Sequence, residues 1–357
     1  QENLEATIQR SVELGMNHIE TARGYGSSER QLGWVLPHFQ RDQLIIQTKV
    51  APCEKPNDFK KEFQTSLKRL QLDSVDLLSI HGINNEETFK WAMKKGGCLE
   101  MARKLQKDGT CRYIGFSTHA ECDLITKAIC TDEFDYVNLH WYYIFQWNWP
   151  AILAAAERDM GVFIISPNDK GGMLYQPSEK LKQLCAPLHP MTFNDLFCLS
   201  HPQVHTLSLG ASRPTDFDIH VEALNSLDQA RRLTDPIIKK LDEALHGVMG
   251  EDFFQQYPTA IPSYPDVHGE INARDILRLG ILAKGLDLIE YGTFRYNLLG
   301  NAGHWFAGKQ VGELSSKESQ ALLDSLQSSG LAEQALHLLQ ETHQLLKAED
   351  RQRLSES

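Results

Sequence analysis

The stretch LIIQTKVAPCEKPNDFKKEFQTSLKRLQLDSVDLLSIHG (44–82) predicts a strand, a helix and a second strand in succession. Its two ends, 44–50 and 74–81, are short runs rich in apolar residues and bounded by turn residues, which is typical of strands. Residues 57–71 predict a helix that runs directly into the second strand. Because strands joined by a crossover helix run parallel, the stretch predicts one unit of a parallel α/β sheet.

This strand–helix unit recurs along the first two thirds of the chain. Strands are predicted at 16–21, 44–50, 74–81, 111–118, 136–143, 161–167 and 205–210. Helices are predicted between them at 28–36, 57–71, 86–108, 120–130 and 148–159. The alternation predicts an α/β fold, a (β/α)8 TIM-type barrel. Only seven strands are visible and a helix precedes the first of them, so we expect the first barrel strand to be missing from this chain.

The alternation of predicted strands and helices stops near residue 234. Beyond that point the sequence predicts helices at 235–249, 270–290, 315–328 and 331–348. The Pro-rich segment PTAIPSYP (258–265) is predicted to be a loop between the first two. We therefore predict two domains, a barrel over 1–234 and a helical C-terminal extension over 235–357.

Composition excludes several classes of partner. The chain has 357 residues and a net charge of −11, which argues against a nucleic-acid or anionic-membrane surface. No apolar run approaches the roughly 18–20 residues that span a bilayer. The seven cysteines form no Cys-x-x-Cys pair, which favours reduced thiols and a cytoplasmic location. These observations leave the oligomeric state open.

Four polar residues follow the first strands in the order Glu20, Tyr25, Lys49 and His81. Because the carboxyl ends of barrel strands converge on one mouth, we expect these side chains to lie close together. Such a quartet suits carbonyl reduction, in which a tyrosine hydroxyl donates a proton to the carbonyl oxygen as hydride reaches the carbon. A phenol has an ordinary pKa of about 10, and a nearby ammonium favours its ionised form.

In this interpretation, Tyr25 is the acid, Lys49 tunes it, Glu20 orients the lysine, and His81 guides the substrate. Zinc bound by His18, Glu20 and His81 is an alternative, but the Lys49 ammonium would repel a cation, so we predict no metal site. A third reading uses Lys49 as the Schiff-base amine of a lyase or isomerase.

Five motifs resemble those of the aldo/keto reductases and occur in that family's order. They are HIETARGYGSSERQLG (18–33), QTKV (47–50), SLKRLQLDSVDLLSIHG (66–82), GFSTH (115–119) and LGASRPTDF (209–217). The resemblance implies an NAD(P)H-dependent oxidoreductase that reduces a small-molecule aldehyde or ketone. It is greatest to a branch with a ferredoxin-like tail, but no cysteine follows Cys198, so we predict no iron–sulfur cluster.

Within this resemblance, Tyr25, Lys49 and His81 match the catalytic tyrosine, lysine and histidine, and Glu20 replaces an aspartate. The resemblance also implies cofactor contacts by Ser117, Thr118, Asn138, Ser166, Pro167, Lys170, Gly210, Ser212 and Arg213. Ile165 stands where an aromatic residue normally stacks on the nicotinamide.

The nucleotide loop also departs from the family pattern. Asp216 stands where a polar or basic residue is usual, and Ile219 and His220 replace Glu and Asn. A carboxylate here would repel a 2′-phosphate, so the family implies NADP while NAD stays possible. These departures support a second hypothesis, a catalytically weak nucleotide-binding regulatory protein on the same fold. The substrate is not determined, since loops on this scaffold vary freely.

Overall fold

The computed structural model describes residues 1–352, and a parallel sheet forms the centre of its N-terminal part. The strands are β1 His18–Glu20, β2 Ile45–Val50, β3 Val75–His81, β4 Cys111–Ser117, β5 Tyr136–Leu139, β6 Gly161–Ile165 and β7 Thr206–Ser208. Every neighbouring pair is parallel, and the spatial order is β1 to β7 in chain order. This is the strand arrangement of a TIM-type barrel, and the predicted fold class is confirmed. Within the described residues, β1 and β7 are the edge strands of the sheet.

Helices connect the strands and continue beyond them. They are α1 Glu2–Glu13, α2 Ser28–Val35, α3 Pro56–Leu70, α4 Glu86–Met93, α5 Cys98–Lys107, α6 Cys122–Ile129, α7 Trp149–Ala156, α8 Pro167–Lys170, α9 Glu179–Cys185, α10 Pro190–Leu199, α11 Asp218–Asn225, α12 Ala230–Met249, α13 Glu251–Ala260, α14 Ala273–Leu286, α15 Ile289–Tyr296, α16 Ser316–Leu326 and α17 Ala332–Leu346. No helix within residues 1–352 combines the length and apolarity needed to cross a bilayer.

Helix α3 illustrates how the sequence builds a crossover. Pro56 occupies the first turn, where its missing N–H costs no hydrogen bond. Phe59, Phe63 and Leu70 are fully buried and recur at helical spacing, so one face of α3 packs inward. The helix ends where Gln71 adopts a left-handed conformation with φ of 57°. This ending turns the chain directly into β3.

The described residues fall into two compact units. The first comprises Gln1–Asn168 and Asn194–Asp228, and the second comprises Asp169–Phe193 and the residues from Gln229 onward. In the second unit, α14 packs against α12, α15 and α17. Gly280 permits part of this packing, because a Cβ there would lie 2.0 Å from Oγ1 of Thr342. The predicted domain boundary near residue 234 stays a prediction.

Three local predictions were wrong. The helix predicted over 86–108 is two helices, because the backbone turns at Gly96, which has φ of 70°. The helix predicted over 270–290 ends at Leu286, and a separate helix follows from Ile289. The segment predicted as a Pro-rich loop begins inside α13, which contains Pro258. This proline lies in the last turn, where it removes only one hydrogen bond of a helix anchored by the buried Tyr257.

Candidate active site

Four polar side chains meet at the carboxyl ends of the first three strands. Glu20 ends β1, Tyr25 lies in the following loop, Lys49 is near the end of β2, and His81 ends β3. Glu20 pairs in register with Gln47, so Lys49 lies two residues further along the neighbouring strand and on the same face. The structure therefore brings together the four predicted catalytic side chains. Their roles in catalysis stay a prediction.

The ammonium of Lys49 makes three polar contacts, and this side chain is 1% exposed. Its Nζ lies 2.6 Å from Oε1 of Glu20. It also donates hydrogen bonds to the carbonyl oxygen of Thr21 at 3.1 Å and to the hydroxyl of Tyr25 at 3.4 Å. Because an ammonium has three protons, these contacts use its full donor capacity.

The Lys49–Glu20 pair is held in its charged form. Burial by itself would lower the pKa of Lys49, but the attraction of Glu20 and Tyr25, together with the hydrogen bonds to both, outweighs burial and raises that pKa above its ordinary value of 10.5. Burial would likewise raise the pKa of Glu20, yet the nearby ammonium holds it below 4.5. A lysine kept cationic in this way can act on a neighbouring phenol. It is poorly suited to the neutral amine that a Schiff base requires.

Tyr25 contacts both Lys49 and His81. The centroids of the Tyr25 and His81 rings lie 5.5 Å apart with an angle of 81° between the ring planes. The Nζ of Lys49 lies 4.7 Å from the centroid of the Tyr25 ring. Tyr25 is 38% exposed, whereas His81 is 4% exposed. The phenol is therefore the group of this cluster that an incoming molecule can reach.

A polar network lies behind Glu20 in the barrel interior, and most of its contacts have no signal in the sequence. The Glu20 Oε2 atom accepts hydrogen bonds from Ser208 and, at 3.2 Å, from the amide of Asn138. The Asn138 carbonyl oxygen accepts in turn from Gln47 at 2.8 Å and from Ser79 at 3.3 Å. The feature of the sequence that could have identified Ser208 as a site residue is its position at the end of the last strand. The predicted contact of Asn138 with nicotinamide stays a prediction.

Ser117 and Thr118, at the end of β4, support the turn that follows His81. The Ser117 hydroxyl accepts a hydrogen bond from the N–H of Gly82 at 3.2 Å. The Thr118 hydroxyl donates to the carbonyl oxygen of Ile83 at 2.7 Å. These bonds fix the backbone on the C-terminal side of His81. The predicted cofactor contacts of both residues stay predictions.

The residues after β6 are divided between the two units. Ser166 has φ of 51°, a left-handed conformation that costs a non-glycine residue about 1–3 kcal/mol and is typical of ligand clamps. Pro167 then begins α8. Lys170 belongs to the second unit, where its carbonyl oxygen accepts a hydrogen bond from the Tyr291 hydroxyl at 3.1 Å. The predicted cofactor contacts of Ser166, Pro167 and Lys170 stay predictions.

The predicted nucleotide loop is organised around a carboxylate. Oδ2 of Asp216 accepts hydrogen bonds from the backbone N–H groups of Ser212 at 2.8 Å and Arg213 at 3.1 Å. Its other oxygen lies 2.8 Å from Nε of Arg213. The hydrogen bond from Arg213 holds the pKa of Asp216 below 3.8. Gly210, Ser212 and Arg213 are all exposed, and a Cβ at Gly210 would meet only open space, so the loop is accessible to a ligand.

His220 is turned away from this loop surface. It is 4% exposed, and its Nδ1 pairs with the carboxylate of Asp195, which is 2% exposed. Its Nε2 lies 3.3 Å from the side-chain amide of Asn168. Burial raises the pKa of Asp195 despite the opposing effect of the imidazole. The position where the family has asparagine is therefore used for an interior contact.

Within residues 1–352, no group of three or more His, Cys, Asp or Glu side chains is arranged to hold a metal ion. His18, which the zinc alternative requires, instead forms a hydrogen bond of 2.9 Å with Gln47. Burial lowers the pKa of His18.

Comparison with known proteins agrees with the barrel fold. A sequence model described as the Aldo/keto reductase family matches residues 1–187, just over half of the chain. The chain belongs to the aldo/keto reductase family.

This aldo/keto reductase is 32% identical to L-galactose dehydrogenase of Arabidopsis thaliana over 133 residues, which cover 35% of the chain and 40% of that protein. It is 24% identical to the uncharacterized oxidoreductase YqkF of Bacillus subtilis over 270 residues, 66% of the chain and 85% of that protein. An aldo-keto reductase of Mycolicibacterium smegmatis is 32% identical over 38% of the chain and 48% of its own length. The match thus spans less than half of the first and third of these relatives.

Solved aldo-keto reductases share the fold. One from Bacillus halodurans, in its holo form, has a TM-score of 0.57 at 21% identity and covers 66% of this chain and 86% of its own. One from Klebsiella pneumoniae, in complex with NADP and acetate, has a TM-score of 0.52 at 20% identity. The match covers 65% of this chain and 85% of the Klebsiella chain. At these identities the likeness shows the barrel architecture alone.

Proposed function

We propose that this protein reduces an aldehyde or ketone with hydride from NAD(P)H, with Tyr25 as the proton donor. The observation that carries the proposal is the Lys49 ammonium, which is paired with Glu20 and lies 3.4 Å from the Tyr25 hydroxyl. Family membership and the oxidoreductase names of relatives support the reaction class. A cytoplasmic location is part of the proposal, because all seven cysteines are unpaired, as in a reducing compartment.

The residues at the mouth fit a nicotinamide dinucleotide. The loop with Ser212 and Arg213 is exposed, and the terminal N–H groups of the Arg213 guanidinium, whose Nε pairs with Asp216, can donate to a phosphate. The strained backbone of Ser166 and the hydroxyl of Ser117 lie at the ends of two barrel strands, where ligands of this fold bind. Ser117, Ser166, Ser212 and Arg213 would hold the cofactor. When bound, the cofactor supplies hydride to the carbonyl carbon.

Residues of the protein donate the proton and stabilise the charge that remains after its transfer. The carbonyl oxygen would lie between the exposed hydroxyl of Tyr25 and the ring of His81, which orients it. As negative charge develops on that oxygen, the Tyr25 hydroxyl donates its proton. The Lys49 ammonium stabilises the resulting phenolate, and Glu20 keeps the ammonium in place. These roles are consistent with the burial of Lys49 and His81 and with the exposure of Tyr25.

The test compares Tyr25→Phe with the parent by following NADPH oxidation with a panel of aldehydes. Loss of a general acid is expected to reduce kcat by about 10²- to 10⁴-fold. Tyr113→Phe is the matched control, because Tyr113 is similarly exposed at 47% but lies on β4. Equal rates for Tyr25→Phe and the parent would refute the role of Tyr25.

A second candidate function is a nucleotide-binding regulatory protein with little turnover. The pairing of Arg213 with Asp216, and Ile165 at the position expected to stack on nicotinamide, favour it. Tight NADPH binding without oxidation by any carbonyl compound would support this candidate. Failure to bind either NADPH or NADH would count against both functions.

A further inference from the structure

A cavity of about 610 Å³ opens beside His81 in the first unit. Residues of α2 and α3 and of the loops after β1 and β2 line it. The loop after β1 carries Tyr25, and the glycines on either side of Tyr25 line the cavity. A molecule whose carbonyl group reaches His81 can therefore extend the rest of its length into this space.

The cavity wall carries three arginines, Arg23, Arg30 and Arg69. Arg23 is neutralised by Glu62, whose carboxylate lies 2.7 Å from its Nε. Within residues 1–352, neither Arg30 nor Arg69 has a carboxylate within 4.0 Å. Two arginines without an ionic partner thus line one cavity of a chain whose net charge is −11.

Helix geometry adds a second observation about Arg30. It lies in the first turn of α2, where the helix dipole disfavours a cation. The one acidic residue of that turn, Glu29, is buried and accepts a hydrogen bond from Thr48 at 2.7 Å, so it is directed inward. An anion that binds in the cavity would therefore offset the unfavourable interaction of the Arg30 cation with the helix dipole.

We propose that Arg30 and Arg69 form a subsite for a carboxylate, and that the substrate is a carbonyl compound with a carboxylate tail. The proposal rests on the proposed function, because it takes His81 and Tyr25 as the site of reduction. The planar guanidinium matches a carboxylate through paired N–H···O hydrogen bonds, which sets substrate orientation as well as affinity. An uncharged aldehyde would enter the same cavity without this anchor.

The kinetic test uses two substrates that differ in one charge, 4-carboxybenzaldehyde and its methyl ester. In Arg30→Gln/Arg69→Gln, kcat/KM for the acid is expected to fall about tenfold, while that for the ester stays within about twofold of the parent. Arg231→Gln/Arg232→Gln, a pair of exposed changes of the same kind on α12, controls for the altered net charge and should affect neither substrate. An equal fall for both substrates, or no fall for the acid, would overturn the subsite.

A binding measurement separates this proposal from the proposed function. Terephthalate has two carboxylates and no aldehyde, so calorimetric titration measures its binding without any reduction. Its affinity is expected to fall about tenfold in the double variant. Arginine-dependent binding of terephthalate without turnover of any aldehyde would keep the subsite and reject the reductase. Reduction of the methyl ester with no arginine-dependent binding of terephthalate would support the reductase and reject the subsite.

Discussion

Ser208, at the end of β7, donates a hydrogen bond to the carboxylate of Glu20, at the end of β1. These strands are the two edges of the sheet, so the contact shows that the sheet curves until its edges approach. The same carboxylate meets Asn138 on β5 and Lys49 on β2. Glu20 therefore connects four strands of the barrel as well as orienting the lysine.

We predict that Ser208→Ala destabilises the protein by about 1.5–3 kcal/mol, because it removes a hydrogen bond to a charged group. Urea unfolding of the variant and the parent measures the difference. Ser226→Ala, a change at the end of α11, is the control and should lie within about 0.5 kcal/mol of the parent. A loss for Ser208→Ala no larger than that of the control would contradict the prediction.

Glu20→Gln should cost about 3–5 kcal/mol, since it leaves the ammonium of Lys49 buried without an opposite charge. Lys49→Met in the same background should recover part of this loss, because the uncompensated charge is then gone. Denaturant unfolding of both single variants and the double variant completes the cycle. Strictly additive losses would show that the two side chains do not stabilise each other.

The contribution of this ion pair depends on pH in a defined direction. The pKa of Glu20 in the folded protein is below 4.5, so its contribution is present above the unfolded pKa and is lost as the pH falls through the folded value. The pKa of Lys49 is above 10.5, so its contribution is lost only as the pH rises through that higher value. The stability difference between the parent and Glu20→Gln should be constant near neutral pH and shrink below about pH 4.5. Unfolding curves from pH 3 to pH 8 measure it, and a difference that grew in acid would contradict the assignment.

Asp216→Asn is expected to shift cofactor preference towards NADPH. The amide oxygen still accepts the N–H bonds that shape the loop, but Arg213 loses its ionic partner and becomes available to a 2′-phosphate. We expect the dissociation constant of NADH divided by that of NADPH to rise about two- to fivefold, as for an exposed charge pair. Fluorescence titration measures both constants.

Asp218→Asn, which removes the partner of Arg10, is the matched control and should leave the ratio unchanged. A ratio equally unaffected by Asp216→Asn would show that Arg213 does not meet the 2′-phosphate.

Glycine substitutions separate tight packing from helix propensity. A Cβ at Gly115 on β4 would lie 2.5 Å from the ring of Tyr136, so Gly115→Ala should cost about 1–3 kcal/mol. Gly247 lies within α12 with nothing within 4 Å of an added Cβ, so Gly247→Ala should stabilise by about 0.5–1 kcal/mol. Thermal unfolding should show a lower Tm for Gly115→Ala and a higher Tm for Gly247→Ala than for the parent. Shifts of Tm in the same direction for both variants would contradict one of the two predictions.

The barrel and the meeting of Tyr25, Lys49 and His81 could be predicted because both depend on local order along the chain. Strand and helix patterns repeat over short distances, and parallel strands place their carboxyl ends at one mouth whatever the details of packing. The same reasoning fails at Pro258, where local preference indicates a loop. There the burial of Tyr257 compensates for the hydrogen bond that proline removes.

The sequence by itself determined the order of strands and helices, the family, and the set of polar groups at the strand ends. Only the tertiary structure decided which of these groups touch. The Ser208–Glu20 bond joins residues 188 positions apart, and His220 pairs with Asp195 from another helix. Such pairs depend on the curvature of the sheet and the burial of individual side chains, which arise from the packing of the whole fold and have no short-range pattern in the chain.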